Sequence, residues 1–250
     1  MEQPDQPTAP DPERPARPET ARSLARRELT RRIMATAREQ LELVGAPALS
    51  LRAIARELGM ASSAVYRYVA SRDDLLTMLL IECYSELADA AEAAERQVPR
   101  DDLAGRWRAI CHAIRDWARA HPHDYALLYG SPVPGYEAPE ATVDPASRVT
   151  ALMAALLPEA AASGTDPAPM VPVPRQLEEA LEPVRQFLPV AIPDGLWLRA
   201  LMAWSAIFGT ISFELFGHYE GGVTDLDAYF AHVVEQYAAD LGLEPAPVNE

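Results

Sequence analysis

The side chains best suited to grip a polyanion crowd into one short stretch, GMASSAVYRYVASRDDLL, Gly59 to Leu76. Ser62 and Ser63 are small, so their hydroxyls and backbone N–H groups can approach phosphates and base edges closely. Tyr66, Arg67 and Tyr68 are amphipathic and long enough to reach backbone oxygens or bases, and Arg72 offers a further phosphate contact. A core helix has no use for Arg67 between two tyrosines, and a loop has no use for Val65 and Val69 four apart. A helix with an apolar underside and a basic, aromatic upper face satisfies both.

The charge distribution agrees. The 250-residue chain carries a formal −15, yet ten arginines face only four glutamates between Ala21 and Arg72. That segment is +6, which leaves −21 on the remainder, the pattern of a nucleic-acid-binding module joined to an acidic body. An apolar content of 49% with 24% charged residues describes a folded, globular chain. Cys83 and Cys111 lie in apolar helical patterns and read as small buried hydrophobes in a reducing compartment. The proline-rich start, residues 1–22, reads as a disordered tail whose arginines, Arg14, Arg17 and Arg22, together with Arg26 and Arg27, could touch DNA or remain solvated.

Helical periodicity runs throughout, so the predicted fold is all-α. A stripe of Leu29, Ile33, Ala37, Leu41 and Val44 ends at Gly45–Pro47. Ser50 caps a second helix that buries Leu51, Ile54, Ala55 and Leu58 and turns Arg52 and Arg56 outward, with Gly59 as its stop. A third helix runs from about Ala61–Ser63 to Val69, and a fourth from its cap Ser71 to about Gln97. Further helices are expected near 101–120, 146–157, 175–188, 194–217 and 224–241, with a stop at HPHD and a low-complexity loop over 158–174. The expected units are a helix-turn-helix DNA-binding bundle over 23–71 and a larger helical domain over 72–242.

Residues 29–76 resemble the DNA-binding domain of the TetR family of transcriptional repressors, in Gly59, Ser62–Ser63, Tyr66-Arg67-Tyr68-Val69, Ser71–Arg72 and Leu75–Leu76. The resemblance implies that Arg52, Ser62, Ser63, Ala64, Tyr66, Arg67, Tyr68 and Arg72 face an operator. Ala61 stands where that family often has a capping Ser or Thr, so Ser62 is a candidate cap, and Val69 replaces a frequent Phe. The run Asp116 to Pro139 is similar to the regulatory domain of a subset named for a Trp-His-Gly pattern. It implies a cytoplasmic, nucleoid-associated homodimer whose body senses a small molecule.

Within the body, Trp107, Ile110, Ile114, Trp117, Tyr125, Tyr129, Phe187 and Trp197 are candidates to line an apolar effector pocket, with Tyr84, Met153 and Met202 beside them. The helices 194–217 and 224–241 are dimer candidates, with Trp204, Phe208, Gly209, Ser212 and Phe213 at the interface. The apolar run Leu196–Phe216 holds Arg199 and Glu214, which suits a buried or partner-facing helix better than a membrane span. His112, His121 and His123 lack a second His/Cys pair at ligand spacing, so no metal or other cofactor is expected. No nucleophile elbow, phosphate loop or metalloprotease motif points to an enzyme. The expected function is that of a repressor released from a palindromic operator by a small apolar effector. The alternative is a DNA-binding module that acts without a ligand.

Overall fold

The computed structural model describes residues 20–162, 172–187 and 191–243, and among these every regular element is helical. Helix α1 (Ala21–Val44) begins at Thr20, whose hydroxyl accepts from the Ser23 N–H, eight residues before the apolar stripe starts. Arg22, Arg26 and Arg27 therefore belong to a helix and not to a tail; the expected disorder of residues 1–19 lies outside the described residues. Ile33, Ala37 and Leu41 are buried as the stripe predicts, whereas Val44 is 54% exposed because the chain turns away at Gly45, φ +73°.

Helix α2 (Leu51–Glu57) is capped by Ser50 and buries Leu51, Ile54 and Ala55. Gly59 follows at φ +65°, a conformation costly for any residue with a Cβ. Helix α3 (Ser62–Val65) is shorter than its pattern implies. The chain reaches Val69 through a tightened turn in which the Tyr68 and Val69 N–H groups both donate to the Val65 carbonyl. Ala61, not Ser62, holds the cap position, without a side-chain bond.

Helix α4 (Arg72–Glu95) starts at Ser71, which accepts from the Asp74 N–H. Its early residues Leu75, Leu76 and Leu79 complete the core of α1–α3, and its later ones, from Cys83 to Ala91, enter the core of the body. The body adds α5 (Leu103–Ala120), α6 (Pro122–Tyr129), α7 (Val143–Ala154), α8 (Leu157–Ala162), α9 (Arg175–Ala180), α10 (Glu182–Phe187), α11 (Asp194–Leu215) and α12 (Leu226–Asp240). Three expectations change here. The HPHD run stops α5 as expected but also opens α6, since Pro122 suits a first helical turn. The segment 158–174, read as a loop, holds most of α8, and its residues 163–171 lie outside the described residues. The single helix expected over 175–188 is divided at Leu181, just before Pro183.

Buried arginines clamp the helices together. Arg106 is held by Glu95 at 2.7 Å and by Glu159 at 3.1 Å, joining α4, α5 and α8. Arg115 is held by Glu214 at 2.7 Å and Asp227 at 2.8 Å, joining α5, α11 and α12. Each planar fork satisfies carboxylates from different helices at once. Helix α11 is long and apolar enough to cross a membrane, but one face is core and its Glu214 and Arg199 are engaged by Arg115 and the Asp240 carbonyl.

A third clamp crosses from α1 to the body. Arg38 lies 2.8 Å from Glu86, 3.2 Å from Glu82 and 3.7 Å from Asp124 of α6. Its Nη2 also meets the thiol of buried Cys83 at 3.7 Å. Burial lifts Asp124 and Glu82 above the ordinary carboxylate range against the pull of Arg38. A carboxylate whose pKa is raised on folding favours the folded state at low pH, and that contribution is lost as pH rises through its folded pKa. The stability of the wild type relative to Asp124→Asn is therefore expected to fall as pH rises from about 4 to 7, measured by urea unfolding.

Candidate nucleic-acid interface and the cavities of the body

The turn from α2 to α3 exposes one continuous face. Arg52, Arg56, Ser63, Tyr66 and Arg67 are exposed on it, while Val65 and Val69 are buried beneath. Ser62 and Ala64 are half-buried at its edge. Tyr66 is 44% exposed, so much of its ring is open to solvent. Phosphates and base edges are what such an aromatic, cationic and hydroxyl-bearing surface can hold.

Two of the expected DNA-facing residues are half-buried and engaged within the bundle. Tyr68 packs against the core of α1–α4, and the Arg26 guanidinium stands 5.8 Å from its ring centre, so α1 covers it. Arg72 turns back to donate to the Ala46 and Pro47 carbonyls at 3.0 and 3.1 Å. It thus ties the start of α4 to the turn before α2, carbonyls 25 and 26 residues away. Sequence reasoning missed this role, and it missed Arg38, because the partners come from other helices.

Two cavities open in the body. One, of about 340 Å³, lies among α5, α7, α8, α10, α11 and the end of α12, with Trp107, Met153, Trp197 and Trp204 on its walls. The second, about 510 Å³, lies at the joint between α4 and the α6–α7 connection, where Tyr84, Ser131, Tyr136 and Ser147 contribute hydroxyls. Thr150 of α7 belongs to both. The joint cavity borders the DNA-binding bundle, because Leu127, Val133 and Tyr136 pack on that bundle's core and the Tyr136 hydroxyl is 2.8 Å from that of Thr77.

Of the expected pocket residues, Trp107 and Trp197 line the smaller cavity, as does Met153. The others are set elsewhere. Ile110 and Ile114 are fully buried core. Trp117 stacks on His121 at 5.0 Å. The Tyr125 hydroxyl donates to the Phe208 carbonyl at 3.0 Å and meets Ser212 at 3.1 Å. Tyr129 sits in an aromatic cluster with Tyr84, Tyr125 and Phe208, and burial pushes both tyrosine hydroxyls up, Tyr125 to about 12. Met202 points outward, 57% exposed. The side chain of Phe187 lies outside the described residues. His112 meets the Phe230 ring edge-on at 5.4 Å.

The expected interface residues divide by helical face. Trp204 lines the cavity and Phe208 is core, because both share the inner face of α11. Ser212 is engaged by Tyr125. Gly209 faces open space and Phe213 is 51% exposed; with Met202 and Phe216 they form an apolar outer stripe that continues to Tyr229 of α12.

Comparison with known proteins returns one consistent description. Residues 33–79 match the profile of "Bacterial regulatory proteins, tetR family", and residues 107–237 match "Tetracyclin repressor-like, C-terminal domain". The body thus matches by a broader description than the Trp-His-Gly subset. The chain is 41% identical over 196 residues to "HTH-type transcriptional regulator Mb1846" of Mycobacterium bovis and to "HTH-type transcriptional regulator Rv1816" of Mycobacterium tuberculosis. Each alignment covers 78% of this chain and 84% of the relative. The crystal structure of SCO4313, described as a regulatory protein, superposes with a TM-score of 0.72 at 35% identity, covering 87% of this chain and 98% of that one.

Tyr66→Ala and Arg67→Ala are expected to leave stability within about 0.5 kcal/mol, because both side chains are exposed, and each to weaken binding to a selected DNA site by about 1–3 kcal/mol. Arg72→Met should instead lower stability by about 1–2 kcal/mol through the two lost carbonyl bonds. Thermal unfolding and DNA titration on the same preparations separate the two patterns.

Proposed function

The chain belongs to the TetR family of bacterial transcriptional regulators, with a helix-turn-helix DNA-binding domain followed by a helical regulatory body, and from that premise we propose that it is a cytoplasmic repressor released from a palindromic operator by a small apolar molecule. The observation that carries this reading is the exposed face of Arg52, Ser63, Tyr66 and Arg67 in the most strongly basic part of an acidic chain. The −21 of the remainder repels a phosphate backbone, so the protein docks through that face alone.

Two such faces are needed to read a palindrome, about 34 Å apart on one side of the duplex. The outer stripe of α11, Met202, Gly209, Phe213 and Phe216, supports dimerisation there. Gly209 lets a partner helix approach closely, and the flanking rings supply apolar area. Four helices, α11 and α12 of each copy, would pack into a bundle.

Release follows from the way α4 is built. Its first turns complete the DNA-binding core and the rest packs on α5 and α7, which wall the tryptophan-lined cavity. A ligand that shifts α7 or α5 moves α4, and α4 resets the spacing of the two recognition helices. A coupling of about 1–3 kcal/mol changes operator affinity roughly 5- to 150-fold.

Selection from random-sequence DNA at two salt concentrations is expected to return a two-half-site palindrome that Tyr66→Ala/Arg67→Ala no longer enriches. Sequence-blind binding that merely weakens with salt would leave only the phosphate contribution and refute the reading. Phe213→Glu should convert the dimer to monomer in sedimentation, with loss of palindrome binding and little change in the monomer's helical content.

A further inference from the structure

We propose, building on the effector reading above, that the ligand of the 340 Å³ cavity is an uncharged, planar aromatic molecule of one or two fused rings, held in a slot between Trp197 and Trp204. The sequence of α11 builds that slot. Trp197 and Trp204 are seven residues apart, two turns along one helical face, with about 10.5 Å of axis between them. Ala200 and Leu201 line the cavity on the same face between them, and the small Ala200 side chain takes up little of the space beside the two indoles. Trp107 of α5 lies on another wall, and its N–H already donates to the Val234 carbonyl at 2.9 Å, which leaves its ring as the surface offered.

Charge is excluded by the lining. Among the described residues, none that bounds the cavity is acidic, basic or histidine, and Thr150 supplies the one aliphatic hydroxyl. A carboxylate, phosphate or ammonium placed there would lose its water and find no counter-ion. Size is bounded as well, since the cavity lies near the small end of the ~300–1,000 Å³ range of small-molecule sites. Nucleotides and coenzyme-linked acyl chains do not fit. Aromatic rings gain from offset or edge-on contact with indoles beyond the area they bury, by up to roughly tenfold in affinity. Met153, with its flexible thioether, can adjust to the outline of a flat ligand.

The test uses the full-length protein and three probes matched in skeleton: 2-naphthol, its saturated counterpart decahydro-2-naphthol, and 2-naphthoate, each titrated by calorimetry. Saturable binding of 2-naphthol is expected, with the saturated alcohol several-fold weaker and the naphthoate weaker by on the order of 100-fold. Ala200→Leu fills the slot without removing an indole and should abolish 2-naphthol binding while the unfolding temperature is retained; Trp204→Leu should narrow the gap between the aromatic and saturated probes. Equal affinity for 2-naphthoate overturns the exclusion of charge, and equal affinity for the saturated alcohol overturns the aromatic slot. Failure of 2-naphthol to bind, or its undiminished binding to Ala200→Leu, overturns the site. Operator affinity measured alongside keeps the two readings apart. Binding of 2-naphthol with unchanged operator affinity supports the slot and refutes release by its occupant, and loss of operator binding in the ligand-free protein refutes the repressor reading without touching the slot.

Discussion

At about 1.5 Å per residue, α4 spans roughly 36 Å, and its buried side is continuous from Leu75 to Ala91. Two cores share that side. Leu75, Leu76 and Leu79 close the bundle under the DNA-facing surface, and Cys83, Leu87, Ala88 and Ala91 close the body. A packed helix cannot slide against one core without disturbing the other, because interiors are filled to the density of organic crystals. Every route from the body to the recognition helix therefore includes α4 or the contacts that flank it. Arg38 and Arg72 lie on those flanks, one pinning α1 to α4 and α6, the other pinning the start of α4 to the turn before α2.

All 22 Lys and Arg positions of the chain are arginine, and among the described ones two groups stand out. Arg52, Arg56 and Arg67 stand in solvent on the DNA-binding bundle. Arg106 and Arg115 are almost wholly buried, and Arg38 largely so, each facing two or three carboxylates from other helices. A guanidinium stays charged when desolvated and presents a rigid fork to several oxygens, which suits both tasks. The acidic excess of the body is thus partly structural: it supplies the carboxylates that hold these arginines.

The helices that frame the candidate recognition surface were legible because their signals are local. Ser50, Gly59 and Ser71 set the ends of α2 and α4, and the burial of Val65 and Val69 follows from their spacing. The length of α3 was not legible, since the pattern that continues to Val69 is compatible with either a helix or the tighter turn that forms. In the body, counting aromatic residues located a region but not a cavity. Tyr125 and Tyr129 had the same credentials as Trp197, yet they pack on Phe208 and Tyr84 in the interior. The i, i+7 spacing of Trp197 and Trp204 around Ala200 and Leu201 was the available sign of the cavity wall, and it was ambiguous because an interface helix repeats small and aromatic residues in the same way.

The sequence by itself determined the helical character of the chain, the order of most of its elements, and the segment where positive charge, hydroxyls and tyrosines meet. Each of these rests on periodicity, capping or composition within a few residues. Only the tertiary structure decided which arginines stand exposed on the DNA-binding bundle and which serve packing, which tryptophans bound empty space, and which face of α11 stays exposed. Those assignments depend on groups contributed from elsewhere in the chain: Glu82, Glu86 and Asp124 for Arg38, the Ala46 and Pro47 carbonyls for Arg72, and the Val234 carbonyl for Trp107. No local pattern encodes a partner more than 20 residues away, so that information appears only when the helices are brought together.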